Sequence, residues 1–237
     1  MLLSWHRYTL CLPKIRRATV AWAAGSTSGA DVGLSLRAVV SCRLTIQEVY
    51  GFTENVLVDP TGSVPWVAFA YNTILLGYLR NGCRNFVIAP GGTGGYANEN
   101  YVYGGRMSQE IVGTNVAGTR QIEIRFGGSN QPSQWHFFGA SVEGSAPEFH
   151  IDCNGHSCSF NGLRFEAINP TVRWGALSQN NKLRGGLGSG DVQFTALAGE
   201  VGNSLEAADG GAITEIRDSA AQVIKTTSRN HRPAATV

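Results

Sequence analysis

The chain has 237 residues, a net charge of +2, 43% hydrophobic but only 15% charged residues, and 30 glycines. The apolar fraction excludes a disordered chain. The small, dispersed charge excludes a nucleic-acid partner held by phosphate neutralisation, and no apolar run reaches the ~18 residues of a membrane-spanning helix.

Glycine stands well above its usual share of about 7%, and the Ala, Leu, Glu and Lys bias of helical bundles is missing. A β-rich, turn-rich chain remains, long enough for one domain with a sizeable core. Residues 1–33 read as an irregular N-terminal segment. There Arg7, Lys14, Arg16 and Arg17 interrupt the apolar residues, whereas a secretory leader carries its charges first. Ser26–Gly29 reads as a flexible link.

From residue 34 to 206 a short pattern recurs: Asn or a substitute, alternating apolar residues, then Gly. The copies are Asn72–Gly77, Asn100–Gly105, Trp135–Gly139, Ser159–Gly162 and Asn181–Gly186, with a weaker one at Asn203–Glu206. The later copies repeat about every 23 residues, and the earlier ones are longer because they carry Gly-rich inserts such as Pro90–Gly95. A second short strand signal follows each copy: Phe86–Ile88, Ile122–Phe126, Phe149–Cys153, Val172–Trp174 and Val192–Phe194. Helical spacing is confined to Ser219–Ile224, inside a C-terminal tail or cap spanning 207–237. Five cysteines at wide spacing do not form a disulfide framework, and Cys153, His156 and Cys158 lack the fourth ligand of a zinc site. No metal and no cofactor is expected.

Short strands and turns at this period predict an all-β fold, a right-handed single-stranded parallel β-helix or solenoid. Its inward residues stack into a continuous core, and its turn asparagines form ladders. An antiparallel sandwich is the competing architecture, and the near-constant late period favours the solenoid.

The segments Tyr71–Gly77, Ala97–Arg106, Phe137–Gly144, Phe149–Gly155 and Asn161–Ala167, taken in order, resemble the β-helix of bacteriophage tailspike and preneck-appendage proteins. The resemblance implies a pectate-lyase-like (pectin lyase-like) fold, a homotrimer, and a virion-tail or extracellular location. It also implies a bacterial cell-surface glycan as partner, a polysaccharide or teichoic acid that is bound and in many members cleaved. The chain departs from the family in lacking a recognisable virion-attachment part and a long C-terminal trimerisation part. A secreted bacterial polysaccharide lyase or hydrolase, and a structural fibre without ligand, are the alternative functions.

Aligning the copies on their glycines puts Asn81, Gln109, Glu143, Glu166 and Gly190 at one position. Glu143 and Glu166 then face the same way, about one strand spacing apart. Glycoside hydrolysis needs two carboxylates roughly 5–9.5 Å apart, so this pair, with Asp191 as a third partner, is the candidate catalytic set. The alternative is a solvated ladder of polar residues. Arg106 and Arg164 either grip anionic groups bidentately or pair with the glutamates. Trp66 and Tyr96, in or beside inserts, are the candidate sugar-stacking aromatics. Glu148 with Asp152 is a second carboxylate pair, expected to be exposed or paired with Arg. His136, His150 and His156 read as structural.

Overall fold

A computed structural model of the chain describes residues 9–10, 17–20, 23–24, 32–61, 67–91, 94–109, 116–126, 130–144, 147–166, 170–185, 192–206, 213–217, 225–226 and 231–232. The candidate helix at 219–224 lies outside these residues. No helix occurs among the described residues, which carry short strands and corners only. Every strand pair among them is parallel, which overturns the antiparallel sandwich. The strands form two curled sheets, one of 10 and one of 15 strands, compatible with a parallel β-helix. The chain visits one sheet and then the other, and each strand pairs with its counterparts in the preceding and following repeats.

Inward side chains stack in rows one strand apart. In the smaller sheet Val56, Phe86, Ile122, Ile151 and Val172 make one row. In the larger, Ile74, Val102, Phe137, Phe160 and Leu183 make another. All ten are buried. Rings stack along the core as well, Phe69 on Trp135 at 5.7 Å and Phe137 on Phe160 at 5.2 Å. Trp135 and Trp174 are therefore core residues, where large rings contribute the most buried area.

A recurrent corner in the larger sheet sets the register. In successive repeats one residue adopts the left-handed conformation: Ser41, Tyr71, Glu99, Gln134, Ser157, Asn180 and Gly202. Only a few per cent of non-glycine residues do so. The next residue turns inward: Cys42, Asn72, Asn100, Trp135, Cys158, Asn181 or Asn203, all buried. Where two asparagines follow one another they form the expected ladder. Asn72 Nδ2 donates to Asn100 Oδ1 at 3.0 Å across 28 residues, and Asn181 Nδ2 to Asn203 Oδ1 at 2.9 Å across 22.

A second internal ladder lies where the chain enters the smaller sheet. Asn55 Nδ2 donates to Asn85 Oδ1 at 2.5 Å, Asn85 donates to Gln121, and Gln121 Nε2 donates to the Glu143 carbonyl at 2.9 Å. His150 follows in line. Its Nδ1 accepts the Thr171 N–H at 3.0 Å, which leaves the proton on Nε2 for the Gly144 carbonyl at 2.9 Å. Burial pushes its pKa down to about 4, against the opposing Gly144 bond. The parallel pairing runs past both expected boundaries: Arg17–Val20 pairs with Arg43–Ile46, and Lys225–Thr226 pairs with Ser204–Leu205.

Candidate functional site: the outer face of the larger sheet

The larger sheet turns two side chains of each short strand outward on either side of a core residue. In the strands Arg106–Ser108, Ser141–Glu143 and Arg164–Glu166 the middle residues Met107, Val142 and Phe165 are buried. The flanking residues form two rows, Arg106–Ser141–Arg164 and Ser108–Glu143–Glu166. Four of the sequence-derived candidates, Glu143, Glu166, Arg106 and Arg164, thus share one face, and Glu143 is the direct register partner of Glu166.

The wider alignment needs a correction. The row before Glu143 holds Arg80 and Ser108, not Asn81 and Gln109. The corner glycine of the second copy is Gly104, whose N–H donates to the Phe138 carbonyl as Gly139 N–H does to that of Asn161. Counting from Gly105 shifts the row by one. Gly77 occupies no corner: it sits within the unbroken strand Thr73–Arg80, where a Cβ would run into the Gln47 carbonyl. Asn81 is instead the left-handed residue of the next corner, and Gln109 is buried.

Charges on this face are paired. Arg106 Nε donates to Glu143 Oε2 at 2.6 Å, and Ser141 Oγ donates to Glu143 Oε1 at 2.8 Å. The hydrogen bond to Glu143 raises the Arg106 pKa further above its ordinary value. Glu143 is 8% exposed, so its two oxygens face protein donors. Arg164 pairs with Glu166 at 2.5 Å within its own strand, with both side chains exposed. Upstream, Arg80 Nε donates to Glu48 at 3.0 Å and its guanidinium lies over the Tyr50 ring at 4.6 Å. The Arg106 guanidinium lies 4.9 Å from the Tyr78 ring centre.

Across the Gly104–Gly105 corner the same sheet presents a different surface. Tyr101 and Tyr103 flank buried Val102 and are 42% and 43% exposed. They are in register with His136 and Phe138 of the next repeat. Tyr101 and His136 lie 5.2 Å apart, and Tyr103 stacks on Phe138 at 5.1 Å and 14°. His136 Nδ1 hydrogen-bonds the Ser159 hydroxyl at 2.8 Å, and burial lowers its pKa, favouring a neutral ring. The result is a four-ring platform, two rings wide and two strands deep. Further along the same rows stand Ser159 and Asn161, then exposed Lys182 and Arg184.

Tyr96 is half-buried next to Ala68, on the far side of the Glu99 corner from this platform. Trp66 and Asp191 lie outside the described residues. The alternation in Asn100–Tyr103 marks Tyr101 and Tyr103 as outward in the sequence, but the register that stacks them on His136 and Phe138 spans an insert and is invisible there. On the smaller sheet Asp152 is bound by Arg120 Nε at 2.9 Å and by Arg173 Nε at 2.8 Å, and Glu148 by Arg120 at 2.8 Å. That carboxylate pair is a structural ion network. Among the described residues no cluster of three His, Cys, Asp or Glu has the disposition of a metal site. No protein-family model matches the chain, and no curated protein or solved structure matches it.

Proposed function

We propose that the chain is a right-handed single-stranded parallel β-helix of the phage tailspike type that holds a bacterial surface polysaccharide or teichoic acid on its lateral face, as part of a homotrimer on a virion tail or outside the cell. The observation that supports this reading is the outward platform of exposed Tyr101 and Tyr103 and half-buried His136 and Phe138. Flat rings on a rigid sheet present an apolar face to a sugar ring and lose little side-chain entropy on contact. Beyond Ser159 and Asn161 in the platform's own rows, exposed Lys182 and Arg184 carry groups able to hold anionic substituents. Trp66 and Tyr96, the aromatics chosen from sequence, are secondary to it.

The test is binding of purified capsular polysaccharides and wall teichoic acids, measured by bio-layer interferometry on the chain and on a Tyr101→Ala/Tyr103→Ala variant. Saturable binding to at least one polymer, weakened at least about tenfold in the variant, is the expected result. Equal binding by both proteins, or none by either, overturns the reading.

A second reading, depolymerisation, is favoured by the register pairing of Glu143 with Glu166, which sets two carboxylates on one face about one strand spacing apart. Against it, both Glu143 oxygens are committed to Arg106 and Ser141. We therefore expect binding without release of reducing ends. Release that disappears in Glu143→Gln and Glu166→Gln would establish the second reading, and Asp191 would then be examined as the third acid. Ultraviolet-absorbing unsaturated ends would instead mark lyase chemistry.

A further inference from the structure

Two thiols that the glycan reading does not use meet inside the core. Cys153 ends the strand Pro147–Cys153 and fills the inward row between Ile124 and Trp174. Cys158 stands five residues on, immediately after left-handed Ser157, at the inward corner position that Asn181 occupies in the next repeat. The bend between them folds the chain back, and Cys158 Sγ donates to the His156 carbonyl at 3.6 Å. Gly155 lies against both sulfurs. Its N–H donates to Cys153 Sγ at 3.4 Å, and a Cβ on it would stand 2.6 Å from Cys158 Sγ. Both thiols are buried and reduced.

We propose that Cys153 and Cys158 are a disulfide-forming pair, closed by a small-molecule disulfide while the chain folds. In the first step one thiolate attacks the small disulfide, forming a mixed disulfide and expelling one small thiolate. In the second, the other cysteine thiolate attacks the protein-side sulfur and expels the second small thiolate. Two protein thiols are oxidised, one small disulfide is reduced, and the two protons end on the released small thiols. Cys42 occupies the same corner row as Cys158 but four register steps away, roughly 19 Å at the strand spacing, which no disulfide spans.

Timing follows from burial. Burial pushes the Cys153 thiol well above its usual range, and the neighbouring Cys158 adds to this. The thiolate that must attack is therefore scarce once the core has packed. The bond forms readily before the bend docks and slowly afterwards. Once formed, it ties the smaller sheet's inward row to the corner row of the larger sheet within one repeat.

The experiment is refolding of the reduced full chain in a mixture of reduced and oxidised glutathione, with a parallel sample of native reduced chain in the same mixture. Intact mass, thiol counts in denaturant and peptide mapping are read over time. The expected refolded product is about 2 Da lighter, retains three of the five thiols, and carries one link, Cys153 to Cys158. The native sample acquires it at least about tenfold more slowly. Cys153→Ser and Cys158→Ser each keep all their remaining thiols. The wild-type map stands alone if either variant fails to refold. Five free thiols in the refolded wild type, or a link between other cysteines, overturns the pair. Equal rates in the native and refolding samples overturn closure before packing.

Discussion

Tyr103 and Phe138, on neighbouring parallel strands, stack on the outer face of the larger sheet with ring centres 5.1 Å apart and planes 14° from parallel. Nothing in the core requires them there, because the inward residues Val102 and Phe137 already fill the row beneath. An exposed tyrosine stacked on a half-buried phenylalanine, in place of charges, forms the kind of outward apolar patch that marks a binding surface. Removing one ring should weaken polysaccharide binding and leave the fold intact. Tyr103→Ala is expected to weaken the binding of any polymer that engages the platform by about two- to tenfold, read by interferometry, with the urea midpoint unchanged.

The inward asparagines behave oppositely. Asn100 is fully buried; its Oδ1 accepts from Asn72 N–H and Nδ2, and its Nδ2 donates to the Phe69 and Asn98 carbonyls at 3.0 and 2.9 Å. Asn100→Ala strands several buried polar groups, each costing about 1–3 kcal/mol. Urea unfolding should show a loss of roughly 3 kcal/mol or more, and a loss below about 1 kcal/mol would mean that the ladder is not structural.

Two ion pairs should differ in the same assay. Asp152 has 3% side-chain exposure and sits between Arg120 and Arg173, whereas Arg164 and Glu166 face solvent. Asp152→Ala strips Arg173 of its bound carboxylate and leaves the largely buried Arg120 with Glu148 alone, and is expected to cost about 3 kcal/mol. Glu166→Ala is expected to cost less than about 1 kcal/mol. Equal costs would refute the burial argument.

His150 makes stability depend on pH. Burial holds its pKa at about 4 in the fold, against the ordinary histidine value of 6.5. Between these values the unfolded chain binds the proton and the folded chain does not. The contribution is thus complete above pH 6.5 and is lost as pH falls through the window towards 4. The loss amounts to roughly 3 kcal/mol. Urea midpoints at pH 7.5 and pH 5 should differ more for the wild type than for His150→Gln. Identical pH dependence in the two proteins would rule out His150 as the source.

The all-β character and the period of the later repeats were legible because a two-residue alternation and a turn every repeat leave a local imprint on the chain. The Glu143–Glu166 relation was legible for the same reason, since only one uninterrupted repeat separates them. The row before them was misread because Gly104 and Gly105 are adjacent and only backbone geometry says which one turns the corner. The aromatic platform was not legible, because Tyr101 and Tyr103 meet His136 and Phe138 across inserts of unequal length.

By itself the sequence determined a repeating, glycine-punctuated β chain with few charges, since strand periodicity and turn preference are local properties. Only the tertiary structure decided which of those few charges are paired across strands and which rings face outward together. Each of these depends on register between strands 20 to 40 residues apart, and a slip of one residue exchanges the inner and outer faces.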